Sequence, residues 1–340
     1  MSAFPEVCIC IPCYNNEETI SDTLNSIINQ DYPNIKIKVF DNASTDGSRE
    51  IVENFFDKGR EITLHTRDKT VSGEDNFNTC IEHADGVYSG IFHSDDIYTE
   101  TMVSEQVRFL QAHVQCGAVA THALVINENN KVIGERFVPY EFKKSLSIEM
   151  AKDELLELVF KYGNFVTCPS VLFRTDVLTK QIHNFRGELF KSSADLDVWL
   201  RVSEFATFGF ITKPLIKYRE SLASYSFNLA RVRIHDHDLF FVLNYYLANS
   251  VKNKKEKMKL KTMMDFLMMK DRAATNINRI ILKKSNFLKI NIYSNIKYMF
   301  ASWFHFKFLI VSMLVNILIS LPFVFLFSNF IKVMRFPNER

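Results

Sequence analysis

The chain has 340 residues, of which 47% are hydrophobic and 24% are charged. This composition is typical of a globular protein with one or two domains, and the length allows a large buried core. A formal net charge of +2 gives no signal for nucleic-acid binding, so we exclude nucleic acid as a partner.

The first hundred residues alternate between short apolar segments typical of strands and amphipathic segments typical of helices. The pattern predicts strands at residues 7–11, 35–40, 62–65 and 87–92, and helices at residues 17–30, 48–56 and 74–84. This alternation indicates an α/β fold with a mostly parallel sheet flanked by helices. Because ligands of such sheets bind at the carboxyl ends of strands, the loops after the first, second and fourth strands are expected to share one crevice.

The short acidic step His93-Ser94-Asp95-Asp96 follows the fourth predicted strand. Two adjacent carboxylates at the end of a buried strand suit a hard divalent cation. The alternative is that Asp95 or Asp96 only caps the next predicted helix, residues 99–112, since Asp is a common helix cap. Taken alone, this segment leaves both interpretations open.

Residues 116–201 continue the mixed pattern. We predict a strand at 116–126, a hairpin turn into 131–133, a helix at 147–162, and a strand with a turn at 168–174. A further helix begins near Asp195, with Leu196, Trp199 and Leu200 on its apolar face. A carboxylate is favoured at a helix start, so Asp195 alone could be no more than a cap.

Two tracts carry metal-binding residue types without the spacing of a metal site. Cys8 and Cys10 fall in the first predicted strand and Cys13 lies just after it, without a second cysteine pair, and we interpret all three as buried free thiols. The tract 235–238 (HDHD) is interpreted as a solvated helix start. The irregular spacing of all six cysteines is typical of a reducing compartment.

The C-terminal part is basic and then strongly apolar. Helices are predicted at 239–246 and 260–269, and no charged residue occurs between Phe308 and Ile331. As one helix this run would extend roughly 36 Å, enough to cross a bilayer. Pro322 also allows a kinked span or a re-entrant hairpin, and a buried core helix is the alternative. Because more Lys and Arg precede the run than follow it, we expect the preceding domain on the cytoplasmic face of the inner (plasma) membrane.

Four features of residues 7–96 together resemble the family 2 glycosyltransferases, which have the GT-A fold. Residues 11–15 (IPCYN) match the family's opening Pro-x-Tyr-Asn, and residues 40–47 (FDNASTDG) resemble its Asp-(Asp/Asn)-x-Ser-x-Asp-Gly element. The family's intervals are also kept at Asn78, Ala84, Gly86 and Tyr88. Asp95-Asp96 matches the end of the usual Asp-x-Asp-Asp, with His93 in place of the first Asp.

Two later segments extend the resemblance. Residues 193–201 (SADLDVWLR) resemble the family's Glu-Asp-x-Asp-x-x-x-Arg motif, in which the carboxylate matching Asp195 is the catalytic base. Ala194 stands where that motif often has an acidic residue. Residues 217–221 (KYRES) resemble a Tyr-Arg-x-His element, with Ser221 at the His position.

The resemblance implies an inverting glycosyltransferase that uses a nucleotide-sugar donor and Mn²⁺ or Mg²⁺. It implies Asp195 as the base and Asp95 with Asp96 as metal ligands. The implied donor-binding residues are Pro12, Tyr14, Asn15, Asp41, Asn78, Ser94 and Arg219. With the apolar tail, it suggests a glycan or lipid-linked glycan acceptor, a membrane surface as a partner, and a role in polysaccharide biosynthesis of the cell envelope.

Two alternatives remain beside this interpretation. The departures at His93, Ala194 and Ser221 favour a non-catalytic GT-A-like module that binds a nucleotide sugar or a glycan. A nucleotidyltransferase would require a Gly-rich, basic phosphate loop after the first strand, which residues 12–16 (PCYNN) do not provide.

The expected domain organisation follows from these segments. We expect a GT-A domain at residues 1–225, a helical basic extension at 226–307 and a hydrophobic membrane segment at 308–331. Within the GT-A domain, residues 1–96 would form the nucleotide-binding half and residues 97–225 the acceptor half.

Overall fold

The computed structural model describes residues 4–220, 233–298 and 303–335. The chain forms two compact units, one of residues 1–159 and 164–221 and the other of residues 160–163 and 222–340. Among the described residues the strands lie in the first unit. They are β1 (Val7–Cys13), β2 (Ile35–Asp41), β3 (Glu61–Thr66), β4 (Tyr88–Ile91), β5 (Ile97–Tyr98), β6 (Cys116–Ile126), β7 (Val132–Glu135), β8 (Ser147–Met150), β9 (Leu172–Arg174) and β10 (Thr207–Arg219).

The helices flank this sheet and then form the second unit. In chain order they are α1 (Ile20–Ile28), α2 (Ser48–Glu53), α3 (Gly73–Glu82), α4 (Met102–Ala112), α5 (Lys152–Tyr162), α6 (Thr175–Val177), α7 (Gly187–Phe190), α8 (Ala194–Phe205), α9 (Leu239–Asn249), α10 (Lys254–Ile281), α11 (Trp303–Ile319) and α12 (Ser328–Arg335).

The strands form one sheet in the order β3-β2-β1-β4-β9-β6-β10-β5, with β7 beside β6 and β8 beside β10. The pairs within β3-β2-β1-β4 are parallel, as is the β6–β10 pair. The pairs made by β5, β7, β8 and β9 are antiparallel. The predicted α/β class is therefore confirmed. Most of the parallel strand pairs come from the first hundred residues of the chain.

Strand β1 lies in the middle of the parallel half, and every residue of it is buried. Its register places Cys13 beside Asp41 of β2 and Cys10 beside Ile91 of β4. The backbone amides of Asn42 and Phe92 continue this pairing, each donating to a carbonyl of β1 at 2.9 Å. The loops after β1, β2 and β4 therefore meet at one edge of the sheet, as predicted from the parallel arrangement.

The predicted helix at 147–162 is wrong in its first turn. Residues Ser147–Met150 form β8, which pairs with β10 in antiparallel register, and α5 begins only at Lys152. The two-residue strand β5 was not predicted and pairs with Ile216 and Lys217 of β10. In both places a strand that is distant in sequence supplies the backbone hydrogen bonds. The local sequence therefore does not predict the pairing.

The second unit is helical and has its own small core. The 28-residue helix α10 extends well beyond the predicted 260–269 segment. Buried residues of this core are Phe266, Met269, Ala273, Ile290, Leu309 and Val315. Asp236, which belongs to the HDHD tract, forms an ion pair with Arg272 at 2.7 Å.

The apolar run 308–331 is not a single helix, so the continuous span considered from the sequence is wrong. Helix α11 ends at Ile319, and a 3₁₀ turn at Val324–Phe327 precedes α12. Pro322 explains the break, because proline lacks an N–H and disfavours helical geometry in the residue before it. Across the ranges that the structure describes, none of the helices combines the length and the apolar character that crossing a bilayer requires.

One substitution tests how closely the backbone packs beside β1. A Cβ atom on Gly86 would lie 2.7 Å from the Cys8 nitrogen and the Tyr88 oxygen, and 2.9 Å from the Glu6 oxygen. Because backbone atoms cannot move aside as a flexible side chain does, we expect Gly86→Ala to lower the free energy of unfolding by about 1–3 kcal/mol. Gly134→Ala is the matched control, since a Cβ there meets nothing within 4 Å. Equal unfolding midpoints for the two variants, measured in urea, would contradict this packing.

Candidate functional site

The loops that follow β1 and β2 are tied together by side chain to backbone hydrogen bonds. The Asn15 amide donates to Ser44 Oγ at 2.9 Å, and the Thr45 amide donates to Asn15 Oδ1 at 2.9 Å. Asn15 has a φ of 51°, a left-handed conformation that Asn tolerates better than most residues. Pro12 is buried within β1, whereas Tyr14 is 47% exposed at the edge of the sheet.

Asp41 ends β2 and is almost fully buried. Its carboxylate accepts a hydrogen bond from Arg49 Nε at 2.6 Å and another from the Ser44 amide at 3.2 Å. These bonds keep the charge of Asp41 paired and hold the loop of residues 42–47 against the strand end. Its predicted contact with a donor nucleotide stays a prediction.

The acidic step is anchored to the start of α1. Ser94 Oγ donates to Asn16 Oδ1 at 2.8 Å, and Thr19 Oγ1 donates to the Ser94 carbonyl at 3.1 Å. Thr23 Oγ1 donates to the Asp96 carbonyl at 2.8 Å. Helix α4 begins at Met102 after Thr101, so neither Asp95 nor Asp96 caps it and the capping interpretation is wrong.

His93, Asp95 and Asp96 form a group whose ligand atoms all lie within 4.8 Å of one another. Asp96 is fully buried, and its Oδ1 accepts a hydrogen bond from the Arg219 amide at 2.7 Å. Asp96 Oδ2 and His93 Nε2 are buried without a hydrogen-bond partner among the residues that the structure describes. Burial raises the pKa of Asp96 well above its usual range, and the charge of Asp95 raises it further.

This donor set fits a divalent cation. An unpaired buried carboxylate oxygen is costly, and an ion bound by Asp96 Oδ2 would remove that cost. The imidazole nitrogen on the side of this oxygen is His93 Nδ1, at 3.9 Å. Burial lowers the pKa of His93 although the charge of Asp95 opposes this, so the imidazole is neutral at pH 7 and has a lone pair to offer. His93 therefore joins the two predicted ligands, Asp95 and Asp96, as a candidate third ligand.

Arg219 ends β10 and holds the acidic step from the other half of the sheet. Its Nε donates to the Asp95 carbonyl at 2.7 Å. Its Nη1 donates to the Asn127 carbonyl at 2.9 Å, and its Nη2 donates to Asn130 Oδ1 at 2.6 Å. Its predicted role in donor binding stays a prediction, and these contacts indicate a structural role as well.

Asp195 lies in the first turn of α8. One carboxylate oxygen accepts a hydrogen bond from the Leu196 amide at 2.7 Å, and the other accepts one from Asn164 Nδ2 at 2.8 Å. Burial raises the pKa of Asp195 to about 6, although these two bonds and the nearby charge of Arg136 act in the opposite direction. An Asp with this pKa is mostly ionised at pH 7 and is a stronger base than an ordinary Asp.

Asp195 and Asp96 both influence the thiol of Cys168, which is partly buried. Burial raises the pKa of Cys168 well above its usual range, and the charges of Asp195 and Asp96 both raise it further. Such effects require both carboxylates to be near that thiol, because Coulomb interactions weaken with distance. Asp195 and Asp96, about a hundred residues apart in sequence, therefore both act on the Cys168 thiol.

A cleft of about 390 Å³ opens beside Asn164, the residue that contacts Asp195. Its lining also includes Arg136, Phe137, Phe165 and Glu220. Arg136 forms an ion pair with Glu220 at 3.5 Å. Charged groups provide hydrogen bonds, and aromatic rings beside them provide an apolar surface. Together they suit a ligand that has both polar groups and a ring.

Two further predicted residues have structural partners. Asn78, on α3, accepts a hydrogen bond from the Phe185 amide at 2.8 Å through its Oδ1. Asp197 is fully buried and forms an ion pair with Arg201 at 2.9 Å, as predicted for these two residues. Ser221 lies outside the described residues.

Asn164, Arg136 and Glu220 were not predicted from the sequence. A sequence signal for the first exists, because Gly often occupies the position just after a helix. Gly163, with a φ of +83°, has that position at the end of α5. That signal predicts the end of α5 but not the hydrogen bond to Asp195, which is 31 residues further along the chain.

Comparison with known proteins identifies relatives over much of the chain. The family model described as "Glycosyl transferase family 2" matches residues 8–178. EpsE of Bacillus subtilis (strain 168), provisionally named as a glycosyltransferase, is 28% identical over 225 residues, which are 65% of this chain and 75% of EpsE. WfgD of Escherichia coli is 25% identical over 254 residues, which are 72% of this chain and 92% of WfgD. Its name is UDP-Glc:alpha-D-GlcNAc-diphosphoundecaprenol beta-1,3-glucosyltransferase.

A solved structure shares the architecture. The mannosyltransferase PcManGT from Pyrobaculum calidifontis, in complex with GDP-Man and Mn²⁺, superposes with a TM-score of 0.58 at 17% identity. The match covers 93% of this chain and 88% of PcManGT. At this level of identity the likeness shows the fold, which is the predicted GT-A fold.

Proposed function

Since the chain belongs to glycosyl transferase family 2, we propose that it is a metal-dependent, inverting glycosyltransferase that moves a sugar from a nucleotide-sugar donor to an acceptor hydroxyl. The observation that carries this proposal is the group of His93, Asp95 and Asp96, whose ligand atoms lie within 4.8 Å of one another and include a buried Asp96 oxygen that accepts no hydrogen bond among the described residues. Asp195, whose pKa burial raises to about 6, is the candidate base.

Asp95 and Asp96, with His93, would hold Mn²⁺ or Mg²⁺. When bound, such an ion stabilises the negative charge that develops on a leaving diphosphate. The buried Asp96 Oδ2, which accepts no hydrogen bond from the described residues, and its 3.9 Å distance from His93 Nδ1 support this assignment. So does the complex of PcManGT with GDP-Man and Mn²⁺.

The donor nucleotide would bind at the strand ends beside this step. Asp41 would bond its base or ribose, and the loop with Pro12, Tyr14 and Asn15 would lie along it. The hydrogen bonds between the loops after β1 and β2 support the assignment, because a pre-organised site loses less entropy when the ligand binds. Asn78 would position the segment around Phe185, and Ser94 and Arg219 would position the acidic step.

Asp195 would accept the proton of an acceptor hydroxyl while that oxygen attacks the anomeric carbon. A bond forms from the acceptor oxygen to that carbon as the bond to the diphosphate breaks. Attack opposite the leaving group inverts the configuration in one step, as in inverting glycosidases where water is the nucleophile. The acceptor would lie in the cleft lined by Asn164, Arg136 and Glu220.

We infer that the acceptor is a glycan or a lipid-linked glycan of the cell envelope, made on the cytoplasmic face of the plasma membrane. The name of WfgD supports this class, since that enzyme is named for a diphosphoundecaprenol-linked acceptor. The alternative is a non-catalytic module that binds a nucleotide sugar or a glycan. Departures from the family motifs at His93 and Ala194 favour it, and donor turnover with Mn²⁺, slow hydrolysis included, distinguishes the two.

The base assignment is tested by Asp195→Asn. We expect sugar transfer to fall by about 10²–10⁴-fold, because the acceptor proton then has no base to receive it. Binding of a nucleoside diphosphate with Mn²⁺, measured by calorimetry, should stay near the wild-type value. Asp176→Asn is the matched control, because Asp176 also accepts a hydrogen bond from the next residue's amide but is exposed. Near-normal transfer by Asp195→Asn would show that another group is the base.

The pH dependence is tested by Asn164→Ala. The ionised form of Asp195 is the active base, so kcat/KM should fall as pH decreases through about 6. Asn164 stabilises that ionised form, and without its N–H the pKa of Asp195 rises. The acidic limb of the kcat/KM profile should therefore move to higher pH, so that the loss is larger at pH 6 than at pH 8. Asn249→Ala, on an exposed part of α9, should leave the limb unchanged. An unmoved limb in Asn164→Ala would contradict the positioning role.

A further inference from the structure

The C-terminal end of the second unit exposes a row of apolar side chains on a surface where polar side chains would be expected. Leu326 is 81% exposed, Phe330 is 66% exposed and Met334 is 69% exposed. With Phe323, Phe327 and Val333, which are also exposed, they recur every three or four residues. This spacing places them on one face of the 3₁₀ turn at Val324–Phe327 and of α12. We call these six residues the C-terminal stripe.

The opposite side of the same segment packs inward. Val324 and Ser328 are buried, and the Phe325 ring stacks on Phe287 with centroids 6.0 Å apart. The Arg335 side chain donates to the Ala274 carbonyl of α10 at 3.1 Å. The segment is therefore fixed to its own unit with its most apolar face outward. An exposed apolar patch of this kind marks a contact surface.

The charge of the surrounding sequence indicates what the surface contacts. Asp271 is the last acidic residue before Glu339, and the residues between them include Lys and Arg at 272, 279, 283, 284, 289, 297, 307, 332 and 335. Arg272 is paired with Asp236, and Arg279 is buried with its Nε donating to the Ile234 carbonyl. The segment as a whole is nevertheless strongly basic. Lys332 lies on α12 itself and is exposed. Basic residues in and beside an apolar helix are typical of helices that lie in the interface of an anionic bilayer.

We propose that the C-terminal stripe inserts into the interface of an anionic lipid bilayer, with α12 lying in the membrane plane. Residues 323–335 would extend only roughly 20 Å as a helix, too short to span the hydrocarbon core. A second copy of the chain suits the stripe less well, because each copy would bring a basic segment against another basic segment. The proposal does not depend on the transfer reaction.

The test is co-sedimentation of the full chain with lipid vesicles. Wild-type protein is expected to pellet with phosphatidylglycerol–phosphatidylcholine vesicles, and more weakly with vesicles of phosphatidylcholine alone. Raising the salt to about 0.5 M should weaken the binding without abolishing it, because apolar insertion is not screened. The double variant Leu326→Ser/Phe330→Ser should lose at least about tenfold in vesicle affinity, since two large apolar side chains no longer enter the lipid.

The matched control is Leu189→Ser/Phe205→Ser, which removes two comparably exposed apolar side chains from the first unit. It should bind vesicles as the wild type does. Equal binding by Leu326→Ser/Phe330→Ser and the wild type, or no binding of the wild type to anionic vesicles, would overturn the proposal. A wild-type dimer in sedimentation equilibrium that the stripe variant dissociates, without vesicle binding, would assign the surface to a second copy. Donor turnover is measured in a separate assay. Failure of the membrane proposal can therefore be distinguished from failure of the proposed transfer reaction.

Discussion

The side chain of Arg219 connects the two halves of the sheet at the place where the chemistry is proposed. It is almost fully buried, and a buried guanidinium is stable only when its N–H groups have acceptors. Here the acceptors are the Asp95 carbonyl of the acidic step and the turn at residues 127–130 between β6 and β7. The Arg219 amide also bonds to the Asp96 carboxylate. The position of the metal-ligand candidates therefore depends on a residue more than a hundred positions later in the chain.

The acidic groups of the site have environments that suit different tasks. Asp96 is fully buried, and one of its oxygens is bonded while the other is not. Its raised pKa reflects the cost of a buried negative charge, which a bound cation would offset. Asp195 has both oxygens bonded to neutral N–H donors and a pKa of about 6. A carboxylate of that kind exchanges protons near neutral pH, as proton transfer from an acceptor hydroxyl requires.

Much of this arrangement could be predicted from local sequence. The alternation of strands and helices predicted the parallel half of the sheet, and parallel strands necessarily place the loops of Asn15, Asp41 and Asp95 at one edge. Contacts between distant segments could not be predicted in this way. Asn164 contacts Asp195 because α5 ends at Tyr162, just before it. Residues Ser147–Met150 form a strand because they pair with β10. The break at Pro322 was foreseen as a kink, but which face of α12 is exposed depends on packing against α10.

The measurement that tests the role of Arg219 most directly is the affinity for Mn²⁺ alone, read from free Mn²⁺ by electron paramagnetic resonance, without nucleotide. Arg219→Lys keeps the charge but loses the planar set of donors that bridges residues 95 and 127–130. We expect its affinity for Mn²⁺ to fall by about tenfold relative to the wild type. Arg108→Lys, at a largely exposed arginine, should leave that affinity unchanged. Unchanged Mn²⁺ affinity in Arg219→Lys, with weaker binding only of a nucleoside diphosphate, would contradict the account and assign Arg219 to the diphosphate instead.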